Sequence, residues 1–216
     1  MAEIKKGIFG GVTGKIGNVV GFQWRGRDFL RAKPQKPHQH TSPAQQAQRD
    51  KLSLASSFVN KVRTIATLYY PELVRNDKQV TGKEQLISLL MKQGIEFIDH
   101  TPCIIIDRVL LAIGTLPAAP MQEYKHVEGH TFVLSWDTHL VNILAQAEDQ
   151  LMLIAYQDER DEFYEIRNAG ERQLGRLHFT LPSTWNIERI HFWSIWVSIQ
   201  EKRNSTSQYH LFVSTN

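Results

Sequence analysis

The chain has 216 residues, of which 42% are hydrophobic, 10% aromatic and 22% charged. This composition supplies enough apolar side chains for a core and excludes a disordered chain. No apolar run is long enough for a membrane span, and the N-terminal segment lacks the apolar region of a cleaved signal peptide. We therefore expect a protein that is cytoplasmic or exported by a signal-independent route. Its single cysteine, Cys103, excludes an internal disulfide.

Charge divides the chain unevenly. Residues 1–40 contain eight Lys and Arg against two acidic residues, for a net charge of +6, whereas residues 41–216 carry −3. A cationic arm on an anionic body can attract other copies of the same chain or phosphate polymers. The basic residues can equally serve only to keep a glycine-rich segment in solution.

Alternating bulky residues in the N-terminal arm indicate a β-strand over residues 15–24. Continuous alternation places four apolar side chains on one face: Ile16, Val20, Phe22 and Trp24. We expect Gly26 to supply a left-handed turn and residues 29–33 to return as a second strand, which Pro34 and Pro37 end. An isolated two-stranded hairpin is only marginally stable in water, so the apolar face needs a covering surface.

Two helices are predicted next. Pro43 follows the candidate N-caps Thr41 and Ser42, and apolar residues at spacings of three and four extend from there to about residue 70. The spacing of Thr81 and Glu84 is that of a capping box, which predicts a second helix that ends near Gly94. Both helices have the pattern of packing elements.

The remainder is β-rich. Branched apolar residues indicate a strand over 103–113, and a proline-containing loop follows at 115–120. Later candidate strands cover 130–136, 151–156, 162–167, 173–181, 189–200 and 208–214. This series, with Trp136 facing inward, is typical of an immunoglobulin-like or fibronectin-like sandwich.

The predicted fold class is therefore α+β, in three parts. A basic, Gly-rich β-hairpin arm occupies residues 1–40. A helical segment with one β-strand occupies residues 41–120, and the β-sandwich domain occupies residues 121–216.

Tests of the sequence for chemistry give no catalytic, cofactor-binding or metal-binding residues. A phosphate loop around Gly14 and Lys15 fails because Phe9 and Ile16 occupy positions that need glycine and a hydroxyl. The nine histidines show no metal-ligand spacing with a third partner, and Cys103 opens an apolar strand. The acidic residues 158–162 have the pattern of a solvated hairpin turn. We expect a protein that is not an enzyme and needs no cofactor.

The N-terminal segment resembles a family of uncharacterised proteins common in Bacteroidetes. The resemblance is carried by the order Gly-Lys-x-Gly-x-Val-Val-Gly over residues 14–21, then Trp24, Gly26 and Arg31, and the helix start at Pro43. It is close over about the first 50 residues, and further along it extends only to the layout of helices and strands. The resemblance implies no activity and supplies no site residues.

The leading hypothesis is a structural subunit that self-associates, with strand addition by the arm building a filament or other homo-assembly. The predicted interface residues are Ile16, Val20, Phe22, Trp24, Arg25, Arg27, Phe29 and Arg31. An arm that pairs within its own chain would leave a monomer. If the Trp24 indole is fully buried, its removal should cost about 3 to 5 kcal/mol.

Two alternatives remain open. The basic and aromatic residues of the arm can bind a nucleic acid by stacking and phosphate contact, although alternation buries Phe22 and Trp24. The third hypothesis is a carbohydrate-binding or small-ligand-binding sandwich that uses Trp185, Trp193 and Trp196. Because Trp193 and Trp196 fall on opposite strand faces, we expect at least one of them to be exposed or at an interface.

Overall fold

The structure, a computed structural model, describes residues 2–4, 11, 13–35, 41–75, 78–140 and 142–211. The chain forms two compact units, residues 1–42 and residues 43–216. The fold class is α+β, with three helices and several antiparallel sheets among the described residues. The boundary predicted at residue 120 falls inside the second unit, whose helices and strands share a core.

The first unit is a four-stranded antiparallel sheet. Its strands are β1 (Ala2–Ile4), β2 (Gly14–Ile16), β3 (Val19–Trp24) and β4 (Arg27–Ala32), in the order β1-β4-β3-β2. The described strands of this unit pair with one another, so the sheet is larger than the two-stranded hairpin that we predicted.

A tight turn at Gly17 and Asn18 corrects the predicted strand over residues 15–24. Gly17 has a φ of +54°, and the chain reverses there so that Ile16 pairs with Val19. Directly paired residues share a face, so Lys15 joins Val20 on one face and Ile16 lies on the other. The prediction that Ile16 shares a face with Val20, Phe22 and Trp24 is therefore wrong.

The turn between β3 and β4 agrees with prediction. Arg25 and Gly26 have φ values of 50° and 74°, the two left-handed positions of a hairpin turn whose twist matches the flanking strands. The strand after this turn ends at Ala32, two residues before Pro34. Pro37 lies outside the described residues.

The helices begin the second unit. The predicted long helix is divided into α1 (Pro43–Lys61) and α2 (Arg63–Tyr69) because Val62, with φ −103° and ψ 19°, leaves the helical conformation. The helix α3 (Gly82–Leu89) continues as a π-helical turn to Gly94. Its capping box is confirmed: the Thr81 hydroxyl accepts the Glu84 amide, and the Glu84 carboxylate accepts the Thr81 amide at 2.8 Å.

Two short hairpins that we did not predict follow α2 and α3: the first lies between these two helices, and the second lies between the π-helical turn and the sandwich. The first pairs β5 (Leu73–Arg75) with β6 (Lys78–Val80), and the second pairs β7 (Ile95–Ile98) with β8 (Thr101–Ile104). A 3₁₀ turn follows at Ile106–Arg108, so the strand predicted over residues 103–113 is only partly formed.

The C-terminal region contains two facing antiparallel sheets. The first consists of β9 (Met121–Glu128), β10 (Thr131–Trp136) and β13 (Arg176–Thr180). The second consists of β11 (Gln150–Gln157), β12 (Glu162–Glu171), β14 (Ile190–Ser198), β15 (Arg203–Asn204) and β16 (Gln208–Leu211).

The strand order of these sheets is fibronectin-like. In the lettering of such domains, β9, β10 and β13 are strands A, B and E, and β12, β11, β14 and β16 are strands C′, C, F and G. Strand β9 was not predicted, because its sequence, MQEYKHVE, is mostly polar and lacks clean alternation. Trp136 faces inward as predicted.

Two hydrophobic cores pack against the larger sheet, one on each of its faces. On one face, Leu151, Leu153 and Trp196 pack with residues of the smaller sheet. On the other face, Ile154 and Trp193 belong to a core shared with the helices. The larger sheet is therefore the central layer of three, and both of its faces are buried.

This arrangement places the indoles of Trp193 and Trp196 at interfaces between layers and exposes neither. Trp193 and Trp196 do lie on opposite faces, but both are 0% exposed, because the helices cover the face that a plain sandwich leaves to solvent. Trp185 is buried as well. Buried indoles offer no stacking surface to a sugar.

None of the helices in the described part of the chain is both long and apolar enough to cross a membrane.

Candidate functional site

Strand register assembles most of the predicted interface residues on one face of the first unit. Phe22 pairs with Phe29, Trp24 with Arg27, and Val20 with both Lys15 and Arg31. We call this surface the basic aromatic face and define it as Lys15, Val20, Phe22, Trp24, Arg27, Phe29 and Arg31, with Arg25 at its turn. Of the eight predicted residues, Ile16 alone lies elsewhere.

Arginines stack on the aromatic rings of this face. The Arg25 guanidinium carbon lies 4.7 Å from the Trp24 ring centroid, and that of Arg31 lies 5.4 Å from the Phe22 centroid. The rings of Phe22 and Phe29 stack with centroids 5.7 Å apart. Cation–π contacts of this kind hold the guanidinium groups against the rings and thereby fix positive charge on an aromatic surface.

The described part of the first unit has almost no core of its own. Among its residues whose burial is described, Gly21 alone is buried. Trp24 is 57% exposed and Ile16, on the opposite face, is 59% exposed. The sheet therefore presents large apolar side chains on both faces.

The second unit contains a cleft of about 830 Å³ that sequence analysis missed. We call it the acidic cleft. It lies between α1, the segment around Asp107 and the end of the larger sheet, where Tyr156, His191 and Tyr209 line it. Leu54 and Phe58 supply an apolar wall.

The cleft lining carries more negative than positive charge. Three aspartates line the cleft: Asp107, Asp158 and Asp161. Among the described lining residues, one lysine, Lys61, carries positive charge, and there is no arginine. Lys61 forms an ion pair with Asp161, which also accepts the Tyr156 hydroxyl at 3.0 Å. With three aspartates against one lysine, the described lining has a net negative charge.

Aromatic hydroxyls of the cleft stay protonated at neutral pH. Burial, reinforced by the charge of Asp158, raises the pKa of Tyr156. Burial and Asp107 raise the pKa of Tyr209 in the same way. The hydroxyl of Tyr209 lies 2.9 Å from Nδ1 of His191. The site thus offers neutral hydroxyls, carboxylates and ring faces, which together suit a cationic group with an apolar stem.

The described residues contain no group of three or more His, Cys, Asp and Glu side chains positioned to hold a metal ion. His126 and His130 contact the carbonyl oxygens of Gly129 and Trp185. His38 and His40 lie outside the described residues.

Sequence reasoning missed the cleft because its residues come from distant parts of the chain. The predicted hairpin turn at residues 158–162 is present, but only the tertiary structure brings it close to α1 and to Tyr209. The acidic residues 158–162 were the one sequence feature that could have indicated the cleft. A short acidic run of this kind is usually a solvated turn, so it did not point to a binding site.

We expect the free energy of unfolding to depend on pH through the protonation of His210, which follows the cleft-lining Tyr209 in the chain. Burial lowers the pKa of His210 from 6.5 to about 4, and Nε2 lies 2.7 Å from the Ser194 hydroxyl. Because the folded state disfavours the imidazolium, the stabilisation is full above pH 6.5 and is lost as the pH falls toward 4. We expect this loss to be about 2 to 3 kcal/mol in urea unfolding.

The matched control for this pH profile is His210→Gln, whose amide oxygen can still accept from Ser194 but does not titrate. The variant should lose much less stability than the natural chain between pH 6.5 and pH 4. Identical profiles for the two proteins would contradict the assignment to His210.

The described structure defines an α+β protein in which helices cover one face of a fibronectin-like sandwich. The chain matches the Family of unknown function (DUF6266) over residues 11–210, and it belongs to that family. The match includes most of both units, so the relationship extends well beyond the N-terminal segment. No curated protein and no solved structure matches the chain.

Proposed function

We propose that this protein is a non-enzymatic structural subunit that self-associates through its N-terminal unit. Head-to-tail repetition of one contact would build a filament, or a ring where the rotation closes. The observation that carries the proposal is the near absence of buried residues among the residues of the first unit whose burial is described, combined with exposed Trp24 and Ile16.

The physical reason lies in how sheets are stabilised. A sheet gains most of its stability from one face packed against a second layer, because backbone hydrogen bonds alone contribute little net free energy. The described sheet of the first unit leaves both faces largely exposed. A second copy can supply the missing layer, and the contact would remove the Trp24 indole from water.

The edge of the same sheet offers a second contact. Strand β2 (Gly14–Ile16) is the last strand in the described order and pairs on one side with β3. An unpaired edge is a template for strand addition, in which backbone hydrogen bonds supply affinity and alternate side chains supply specificity. We include strand addition at β2 in the proposal.

The N-terminal motif and the bacterial group of its relatives are also part of what we propose. We propose that the Gly-Lys-x-Gly-x-Val-Val-Gly motif marks the family's N-terminal unit and that the chain's relatives are found in Bacteroidetes. The motif has a structural rationale, since its second glycine, Gly17, occupies the left-handed position of the β2–β3 turn.

Light scattering of the full chain tests self-association. We expect a mass above the 24.9 kDa of one chain that rises through the micromolar range. Trp24→Ala should weaken association about thirtyfold, the effect of removing a contact worth about 2 kcal/mol.

The control for Trp24→Ala is Ile199→Ala in the second unit, which removes an apolar side chain that is 66% exposed. It should leave association unchanged. A single-chain mass for the natural protein at all concentrations would defeat the proposal.

A nucleic-acid-binding function is the second candidate, and one observation favours it. The stacking of Arg25 on Trp24 and of Arg31 on Phe22 combines charge and rings on a face where Trp24 is exposed. Such faces bind single strands by base stacking and phosphate contact. Retention on single-stranded DNA that falls steeply with salt, in a chain that stays monomeric, would favour this function over self-association.

A further inference from the structure

The acidic cleft of the second unit has a charge that complements the basic aromatic face of the first unit. The cleft lining has three aspartates and one lysine. The basic aromatic face has four cations, at Lys15, Arg25, Arg27 and Arg31. The same asymmetry holds for the whole chain, with +6 in residues 1–40 and −3 in the remainder.

The cleft also matches the apolar part of that face. Leu54 and Phe58 form one wall, and the rings of His191 and Tyr209 lie with centroids 5.9 Å apart. A guanidinium that stacks on an indole presents a flat unit that is cationic and apolar, and the rings and carboxylates of the cleft suit both properties. Deeply buried charge would be costly, but an open cleft leaves the ion pairs partly hydrated.

We infer that the acidic cleft is the receptor for the basic aromatic face of a second copy of this chain. This inference rests on the proposed function and specifies the contact: Arg25, with its Trp24 partner, enters the cleft near Asp107 and Asp158. One face and one cleft per chain make the contact heterologous. Each subunit therefore donates its face to one neighbour and receives another neighbour's face in its cleft, as a head-to-tail assembly requires.

Two complementary variants test the inference in the full chain. The face variant carries Arg25→Glu and Arg31→Glu, and the cleft variant carries Asp107→Lys and Asp158→Lys. Each alone should associate at least about tenfold more weakly than the natural chain, because like charges then meet across the contact. When the two are mixed, the intact face of the cleft variant can enter the intact cleft of the face variant. We expect mixing to restore association, because the charge-reversed face and the charge-reversed cleft are also opposite in sign and can meet at the next contact.

The charge-matched control is Glu128→Lys with Glu188→Lys, which alters two exposed acidic residues outside the described cleft lining. It should associate as the natural chain does. Should the charge-reversed cleft fail to fold, as judged by circular dichroism, the milder pair Asp107→Asn and Asp158→Asn should still weaken association severalfold. The contact should also weaken with added salt, which screens the exposed part of the interaction.

The outcomes separate the inference from the proposed function. If the natural chain associates and the cleft variants associate as tightly as the control, the inference is wrong and the proposed function stands. If the natural chain is a monomer at all concentrations, both fail. Two singly weakened variants that stay apart when mixed would also overturn the head-to-tail contact.

Discussion

Replacing Arg172 with methionine should lower the free energy of unfolding by about 3 to 5 kcal/mol, because the change leaves the Asp149 carboxylate buried without its counterion. The side chains of Arg172 and Asp149 are 2% and 1% exposed, and their closest nitrogen and oxygen atoms lie 3.1 Å apart. The methylenes of methionine replace much of the arginine stem, so lost charge pairing, and not lost volume, dominates the result.

Arg172 connects several parts of the sandwich. Its guanidinium donates to the carbonyl of Pro117 at 2.8 Å and lies 4.5 Å from the Trp196 ring centroid. Its own carbonyl accepts the Trp136 indole N–H at 2.7 Å. The side chain therefore joins the loop before β9 to the core between the two sheets.

Chemical denaturation of the natural chain and three variants measures this effect. The control is Arg167→Met in β12, the strand that ends just before Arg172. Arg167 is exposed, and the loss of its ion pair with Glu165 should cost at most about 1 kcal/mol. The double variant Arg172→Met/Asp149→Leu removes both charges and should regain part of the lost stability. An Arg172→Met variant no less stable than Arg167→Met would contradict the prediction.

Truncating Trp193 to alanine should cost about 3 to 5 kcal/mol, since the indole is fully buried between the larger sheet and the helices. The indole N–H also donates to the carbonyl of Val109 at 2.9 Å. This bond holds the segment that follows the 3₁₀ turn onto β14. The same segment also contacts Ser207, because the Leu111 amide donates a hydrogen bond to the Ser207 hydroxyl.

Phenylalanine substitutions isolate the hydrogen bond. Trp193→Phe leaves the Val109 carbonyl without this donor and should cost about 1 to 3 kcal/mol for that loss, in addition to the smaller ring. Trp196→Phe is the matched control, because Trp196 is equally buried and its indole nitrogen has no hydrogen-bond partner in the described structure. Equal losses in urea unfolding would show that the Val109 bond contributes nothing measurable.

Several elements could be predicted because their signals are local. The capping box of α3 depends on two side chains three residues apart, and the turn at Arg25 and Gly26 depends on a glycine that tolerates positive φ. The sandwich strands β10 to β14 followed from runs of apolar residues bounded by turns. Local conformation and hydrophobic patterning are properties of neighbouring residues, so they can be identified before any tertiary contact is known.

The hairpin at Gly17 and Asn18 shows how a local signal can be misinterpreted. A Gly-Asn pair between two β segments is a turn signal, but continuous alternation on either side favoured a single strand. The turn reverses the chain and moves Ile16 to the face opposite Trp24. One misassigned turn was enough to misplace one of the eight predicted interface residues.

By itself, the sequence determined the α+β class, the sandwich strands β10 to β14, the capped helix and the concentration of cations with aromatic residues in the first 40 residues. The tertiary structure alone decided that helices bury the Trp193 face, that Arg172 finds Asp149, and that Asp107, Asp161 and Tyr209 line a common cleft. The reason is physical: burial and charge pairing between distant segments depend on how layers pack, and periodicity along the chain does not specify which surface covers which.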